Sequence, residues 1–456
     1  MRSVSTTTAR LCLVILLVFS LLSSRAQQNS PFTRYGLGEF YTNQHIISRS
    51  MGGLTAAYND GLNNNVGQSI NFGNPATYGT LYLVTFDLGL TIDSRTLTSK
   101  VPAGKFSTKY FVPSYISVGL PLNKAKNLGF AFGLKPLSTI NYSVDTRSKV
   151  GTDSLQTTYE GSGGMNQFFV GLGKKWKNLS LGFNTGYNFG RKEINTRKTF
   201  LNDTATYYQS KSSTLTSYSG VFLSGGLQYE VSLAKKTNTD TKTTNNYLLR
   251  FGLTGTLSQN LSGLQDISRQ TYTTSTNGDI KIDSVSEQKN IKGTINLPST
   301  YAAGVTLHKT QTNTRGVFEM WSIGAEYTST KWSKYRFYGQ PDQLSDSWEF
   351  KLGIQFCPDP SPTSGYWSNV NYRTGFTTGK DYLNADGNGL KQFGVSIGAG
   401  LPIKKWSNYN SQFTYLNTAI QFGKRGSAVN NITESYVQLS LGISLSDLWF
   451  IKRRYD

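Results

Sequence analysis

From Val437 to Leu445 the chain alternates without a break. Val437, Leu439, Leu441, Ile443 and Leu445 are aliphatic, and Gln438, Ser440, Gly442 and Ser444 separate them. A period of two puts the aliphatic residues on one face of an extended strand and the small polar ones on the other. The pattern returns at Phe86–Leu90, Ile116–Leu120, Leu128–Leu134, Leu179–Phe189, Val221–Leu233, Trp321–Tyr327, Phe350–Phe356 and Phe393–Ala399. Weaker copies lie near Phe168, Arg250, Val305, Tyr372 and Leu416. The pattern therefore predicts an all-β fold, a transmembrane antiparallel β-barrel of about 14 strands. A soluble sandwich has no use for an outward aliphatic band on every strand.

The connections support that reading. Residues 121–127, 173–178, 308–316 and 402–408 are short or moderate, and read as periplasmic turns. Longer polar stretches at 94–108, 144–164, 191–213 and 259–298 read as outer loops. Ahead of the first strand, residues 27–79 are rich in Asn, Gly and Ser and hold no sustained period. Many inward positions, such as Gly129, Gly182 and Gly353, are glycine. Small inward side chains leave room for this segment to fold back as an N-terminal hatch or plug. Arg2, Arg10, the apolar run from Leu11 to Leu22 and Ser24-Arg25-Ala26 form a cleavable export signal, too short to span a bilayer. The expected organisation is a signal peptide at 1–26, a hatch at 27–79, a barrel at 80–445 and a periplasmic tail at 446–456. The expected location is the outer membrane of a gram-negative cell.

Composition changes little in this picture. Only 37% of residues are hydrophobic, against 27 tyrosines, 25 phenylalanines and 46 glycines. A barrel needs only alternate residues to be apolar, whereas a helical membrane bundle needs long apolar runs. The formal charge is +20, and Arg2, Arg10 and Arg25 would leave with the signal. The lysines are spread over many turns, with no aromatic-interleaved stripe suited to nucleic acid. They read first as solvated turns flanking a membrane band, with contact to outer-membrane lipid headgroups as the alternative. Cys357 is the only cysteine outside the signal, so no internal disulfide is expected.

Catalytic chemistry is absent from the pattern. His45 and His308 stand far apart, and neither adjoins an activated nucleophile. No His, Cys or carboxylate group has metal-ligand spacing, and Gly161-Ser162-Gly163-Gly164 reads as a loop. Neither an enzyme activity nor a cofactor is expected.

Three N-terminal runs carry a resemblance: Arg49-Ser50-Met51-Gly52-Gly53, Ala56-Ala57-Tyr58-Asn59-Asp60 and Asn74-Pro75-Ala76-Thr77-Tyr78. With Leu297-Pro298, Trp321–Tyr327 and Tyr372-Arg373-Thr374-Gly375, they resemble the FadL-type outer-membrane transporters. The opening Ser30–Gly38 and the ending Asp447-Leu448-Trp449-Phe450 are similar to the branch common in Bacteroidota. The resemblance implies a fourteen-stranded barrel closed by an N-terminal hatch. It also implies passive transport of fatty acids or hydrocarbons through a cleft and a lateral opening. Asn74, Pro75, Ala76, Met51, Gly52 and Gly53 would then lie in the hatch beside the ligand path. The polar inward positions, among them Asp87, Arg250, Glu326 and Lys351, leave a second reading open. Relatives of this barrel serve protein secretion assemblies, so the alternative to transport is a non-transporting scaffold or accessory subunit of an outer-membrane secretion or assembly complex, with a protein partner.

Overall fold

Laid side by side, the alternating strands close on themselves. The computed structural model describes residues 30–61, 68–101, 103–201, 208–239, 242–275, 278–314, 316–360, 365–384, 389–403, 413–427 and 429–447. The signal peptide and the end of the tail lie outside them. A two-residue strand, β1 (Glu39–Phe40), comes first. It is followed by β2 (Val84–Ser99), β3 (Gly104–Asn123), β4 (Leu128–Val150), β5 (Asp153–Trp176), β6 (Leu179–Phe200), β7 (Gln209–Asn238), β8 (Thr243–Thr256), β9 (Gln259–Ser275) and β10 (Gly278–Leu297). The rest are β11 (Thr300–Asn313), β12 (Gly316–Thr330), β13 (Arg336–Phe337), β14 (Ser347–Phe356), β15 (Asn371–Lys380), β16 (Lys391–Ile403), β17 (Phe413–Arg425) and β18 (Ile432–Asp447).

Fourteen of these strands form a closed antiparallel barrel: β2 to β8, β11, β12 and β14 to β18, with β18 returning to β2. Each of the fourteen alternating segments falls on one of them. On β18 the outward Leu441 is 39% exposed while Ser440 beside it is fully buried. Lipid therefore takes the aliphatic face, and the lumen takes the polar one. Leu441→Arg, near the middle of this face, is expected to lower folding stability in bilayers by about 2–4 kcal/mol. Ser435→Arg, at the outer edge of the same strand, should cost about 0–1 kcal/mol. Urea titration in lipid vesicles checks both.

Among the described residues, the long polar stretches are largely strands, not loops. β7 runs for 30 residues, roughly 100 Å at a strand's rise, where a bilayer needs only about ten residues. Its lower half pairs with β8 and its upper half with β9, which continues the line of β8 after a break at Leu257 and Ser258. β10 and β11 repeat the arrangement across Pro298 and Ser299. A curtain made by the upper parts of β4 to β7, with β9 and β10, thus stands above one side of the barrel. The hydrophobic alternation is missing there because water bounds both faces, so only the Thr, Ser and Tyr preference for strands marks it.

Candidate functional site

Most of what the structure describes between Thr42 and Leu83 folds into the lumen, before β2 begins. The helix Ile46–Ser50 is fully buried, with Met51 as its C-cap. Gly52 and Gly53 follow at φ +66° and +93°, a left-handed conformation that strains any residue with a β-carbon. His45 caps the other end, its Nδ1 accepting the Ser48 N–H. Burial, reinforced by Arg373 and Arg49, pushes its imidazole down to about 3, so the ring stays neutral and keeps that acceptor. Burial also raises the Asp60 carboxyl to about 6, while Ser69 pulls the other way by hydrogen bonding to it.

Asn74, Pro75 and Ala76 open a 3₁₀ turn spanning Pro75–Thr80. Asn74 Oδ1 accepts the Ala76 N–H, and its Nδ2 donates to the Ala56 carbonyl at 2.6 Å. Pro75 does fix a turn, but the turn is also pressed against the wall. A β-carbon at Gly182 would overlap the Pro75 carbonyl, and one at Gly226 the Asn74 side chain. The Met51-Gly52-Gly53 run lies elsewhere on the wall. Gly52 donates to Ser396 Oγ at 2.9 Å, and its carbonyl accepts from Thr377 Oγ1 at 2.7 Å. The six predicted site residues thus form two seats of one hatch.

Charged wall residues clasp the hatch between these seats. Glu326 accepts the N–H groups of Thr55 and Ala56 at 2.6 and 2.7 Å, and Lys351 donates to it at 3.2 Å. Arg250 donates to Glu230 at 2.6 Å and to the carbonyls of Ala57 and Asn59. His308 completes that group, 3.3 Å from Glu230. Asp87 accepts from Ile70, Tyr115 and Ser444. Higher up, Glu39 bridges Arg95 on β2 and Arg425 on β17, and Glu434 and Asp381 complete the cluster. The sequence placed Asp87, Arg250, Glu326 and Lys351 inward. Glu230, Glu39 and Arg425 carried no local signal, because what they hold is remote in the chain.

A second closure sits above the hatch. Phe32 and Leu37 pack with Trp332, Tyr335, Tyr382 and Leu390 from the outer connections. Trp332 stacks on Tyr382 at 4.8 Å and meets Phe40 at 4.7 Å. A cavity of about 280 Å³ lies between hatch and lid, lined by Phe72, Phe169, Phe222 and Trp332 among others. Lys135 enters it, 4.8 Å from the Phe72 ring centre, and donates to Asn43. Beside the cavity the wall parts. β3 and β4 pair only from Ile116 to Asn123 and from Leu128 to Leu134. Just above, each strand has a proline and a bulge, at Pro113 with Ser114 and at Pro136 with Leu137. A proline cannot donate to a ladder, so the strands do not zip further. The segment Ser30–Tyr41 fills the gap, with β1 pairing to β4 and Ser30 donating to the Asn141 carbonyl.

Residues 8–456 match the family described as BamG. The fold is similar to that of a crystal structure of a Pseudomonas aeruginosa FadL homologue, at 12% identity over 89% of this chain and 98% of that one, with a TM-score of 0.51. A deltaS2 mutant of the TodX monoaromatic hydrocarbon channel gives 14% identity, 90% and 99% coverage and a TM-score of 0.51. Likeness at this level establishes a FadL-type fold. No curated protein matches the sequence.

Proposed function

Because the chain belongs to the BamG family, we propose that it is a non-conducting accessory subunit of an outer-membrane protein assembly complex. It would be exported by its cleaved signal and would act as a scaffold without catalysis. The observation that carries this reading is the double closure of the lumen. A buried hatch clasped through Glu326, Arg250 and Asp87 and an aromatic lid around Trp332 suit a permanent stopper. The family match adds a link to an assembly complex. The curtain of β4 to β7, β9 and β10 supplies a broad polar surface beside the barrel for a protein partner.

A second reading, passive transport of a hydrophobic small molecule, is favoured by the aromatic cavity around Lys135 and by the gap between β3 and β4. Asn74, Pro75, Ala76, Met51, Gly52 and Gly53 would then border the path, and the Bacteroidota-like ends would mark a branch of the transporter fold.

One preparation separates the readings. The protein is extracted from native outer membranes in mild detergent, weighed by native mass spectrometry and placed in planar bilayers. The expected result is a fixed-ratio complex with another protein and a silent bilayer. A lone barrel carrying a fatty acid or hydrocarbon would overturn the scaffold reading in favour of transport.

A further inference from the structure

Basic residues are distributed differently at the two ends of the barrel. On the outer side some pair with acids, Arg197 with Glu160 and Asp279, Lys289 with Glu287, and Lys331 with Asp346, while others, such as Lys105, Lys109 and Lys149, stand apart from any described acid. At the end that carries the short turns six lysines stand together without an acidic partner. Lys124 and Lys126 lie in the β3–β4 turn, Lys174 and Lys177 at the β5–β6 turn, Lys236 at the end of β7 and Lys309 near the end of β11. Among the described residues no carboxylate lies within ion-pair distance of any of them. These elements are neighbours in the wall, so the lysines form one continuous arc from β3 to β11.

Three of these ammonium groups rest on aromatic rings. Lys124 Nζ is 4.4 Å from the centre of Tyr82, Lys174 Nζ 4.7 Å from Trp176 and Lys309 Nζ 5.9 Å from Tyr247. Lys309 is also opposite both Tyr247 and Trp321 in the strand register. Trp176 is 48% exposed, turned away from the lumen. Tryptophan and tyrosine on the outer wall of a barrel mark the level of the lipid headgroups. Lys174 and Lys309, held on Trp176 and Tyr247 of the outer wall, are therefore at the height of the phosphates with their charge still to be neutralised, and Lys124 rests on Tyr82 in the segment just before β2. Lysine stems reaching along an apolar wall to that level keep the ammonium in the polar layer.

We infer that this arc binds anionic phospholipid headgroups of the periplasmic leaflet, phosphatidylglycerol or a relative with the same phosphate chemistry. The phosphate diester accepts from the lysines, and the paired aromatic ring packs on the glycerol region. An acidic protein surface would match the charge but has no use for rings turned into the bilayer. The inference rests on the membrane placement proposed above. Its physical basis is that each lysine near an anionic surface contributes about a fivefold preference.

The test adds equimolar phosphatidylglycerol and phosphatidylethanolamine, with identical chains, to the full-length protein in detergent, and native mass spectrometry counts the lipids retained. The wild type is expected to retain phosphatidylglycerol at least about fivefold over phosphatidylethanolamine. The triple variant Lys124→Gln, Lys174→Gln, Lys309→Gln is expected to lose that preference. A control triple at the outer end, Lys105→Gln, Lys109→Gln, Lys149→Gln, is expected to keep it. Equal retention of both lipids by the wild type overturns the inference, as does an unchanged preference in the first triple or an acidic protein held in place of lipid. Failure of the same wild-type protein to enter lipid vesicles, tested in parallel, would instead refute the membrane placement. Heat-dependent gel mobility confirms that all the variants fold as barrels.

Discussion

Gly375→Val is expected to yield a barrel whose hatch cannot seat. Gly375 faces inward on β15, and a β-carbon there would overlap the backbone of Met51 and Gly52. Gly52 in turn lies against the backbone of Leu352 and Phe376. Neither side can yield by turning a side chain, because backbone meets backbone on both. Overpacking of an ordinary core costs about 1–3 kcal/mol, and a rigid contact of this kind belongs at the upper end or beyond. The hatch rather than the barrel should give way, since the ladders of β14 to β16 do not depend on it. Single-channel recording should find the wild type silent and the variant conducting. The matched control is Gly225→Val. Gly225 faces outward with only the Gly182 carbonyl near, at 3.9 Å, so that variant should stay silent. A silent Gly375→Val barrel with full stability would mean that the lid around Trp332 closes the lumen without the hatch.

Glu326→Ala is expected to be the most destabilising single change in the clasp. Glu326 is 2% exposed and Lys351 is 4% exposed. Truncating the acid leaves Lys351 with Glu349, at 3.3 Å and nearer solvent, as its one carboxylate, beside the Thr328 hydroxyl at 3.1 Å. It also strips two hatch N–H groups of their acceptor. Breaking a buried pair by removing one partner typically costs about 3–5 kcal/mol, and orphaned buried donors add to it. Glu326→Gln should cost less, since an amide oxygen in the place of Oε2 still accepts both N–H groups. Adding Lys351→Met to Glu326→Ala should restore part of the loss, because the stranded charge goes with it. Thermal unfolding followed by the heat-dependent gel shift measures all three. Additive effects of the two substitutions would show that the pair is not coupled.

The barrel was legible because hydrocarbon imposes a rule on every second residue. Even the weak segments near Arg250 and Leu416 proved to be strands, since a lipid-facing residue such as Phe251 must alternate with lumenal Arg250 wherever the wall crosses the bilayer. Above the membrane that rule stops. Residues such as Ile280 and Ser284 on β10 are exposed on both faces, and the stretch read as a loop for want of a period. The site was half legible. Asn74-Pro75-Ala76 and Met51-Gly52-Gly53 stood out as motifs with their own turn chemistry. Their opposites, Gly226 and Gly375, are ordinary strand glycines until the hatch is laid against them. Glu39 and Arg425 are 386 residues apart, and no local pattern could have joined them.

The path of the hatch also dictates an order of events. Ser30 is tied to Asn141, above the lipid-facing run of β4, whereas Leu83 lies at the opposite end of the lumen, one residue before β2. The segment between them carries polar groups, among them the Thr55, Ala56 and Ile70 N–H groups and the Ala57 carbonyl, that the wall around it satisfies. Threading it through a finished ring would strip those groups of both water and wall at once. The chain must therefore lie in place while the ring is still open, and the β18–β2 ladder, which joins the two ends of the wall, is the seam that closes last. The C-terminal strand acts as a clock on biogenesis: until it arrives, the hatch has a half-built wall to fold against and a free side through which to enter.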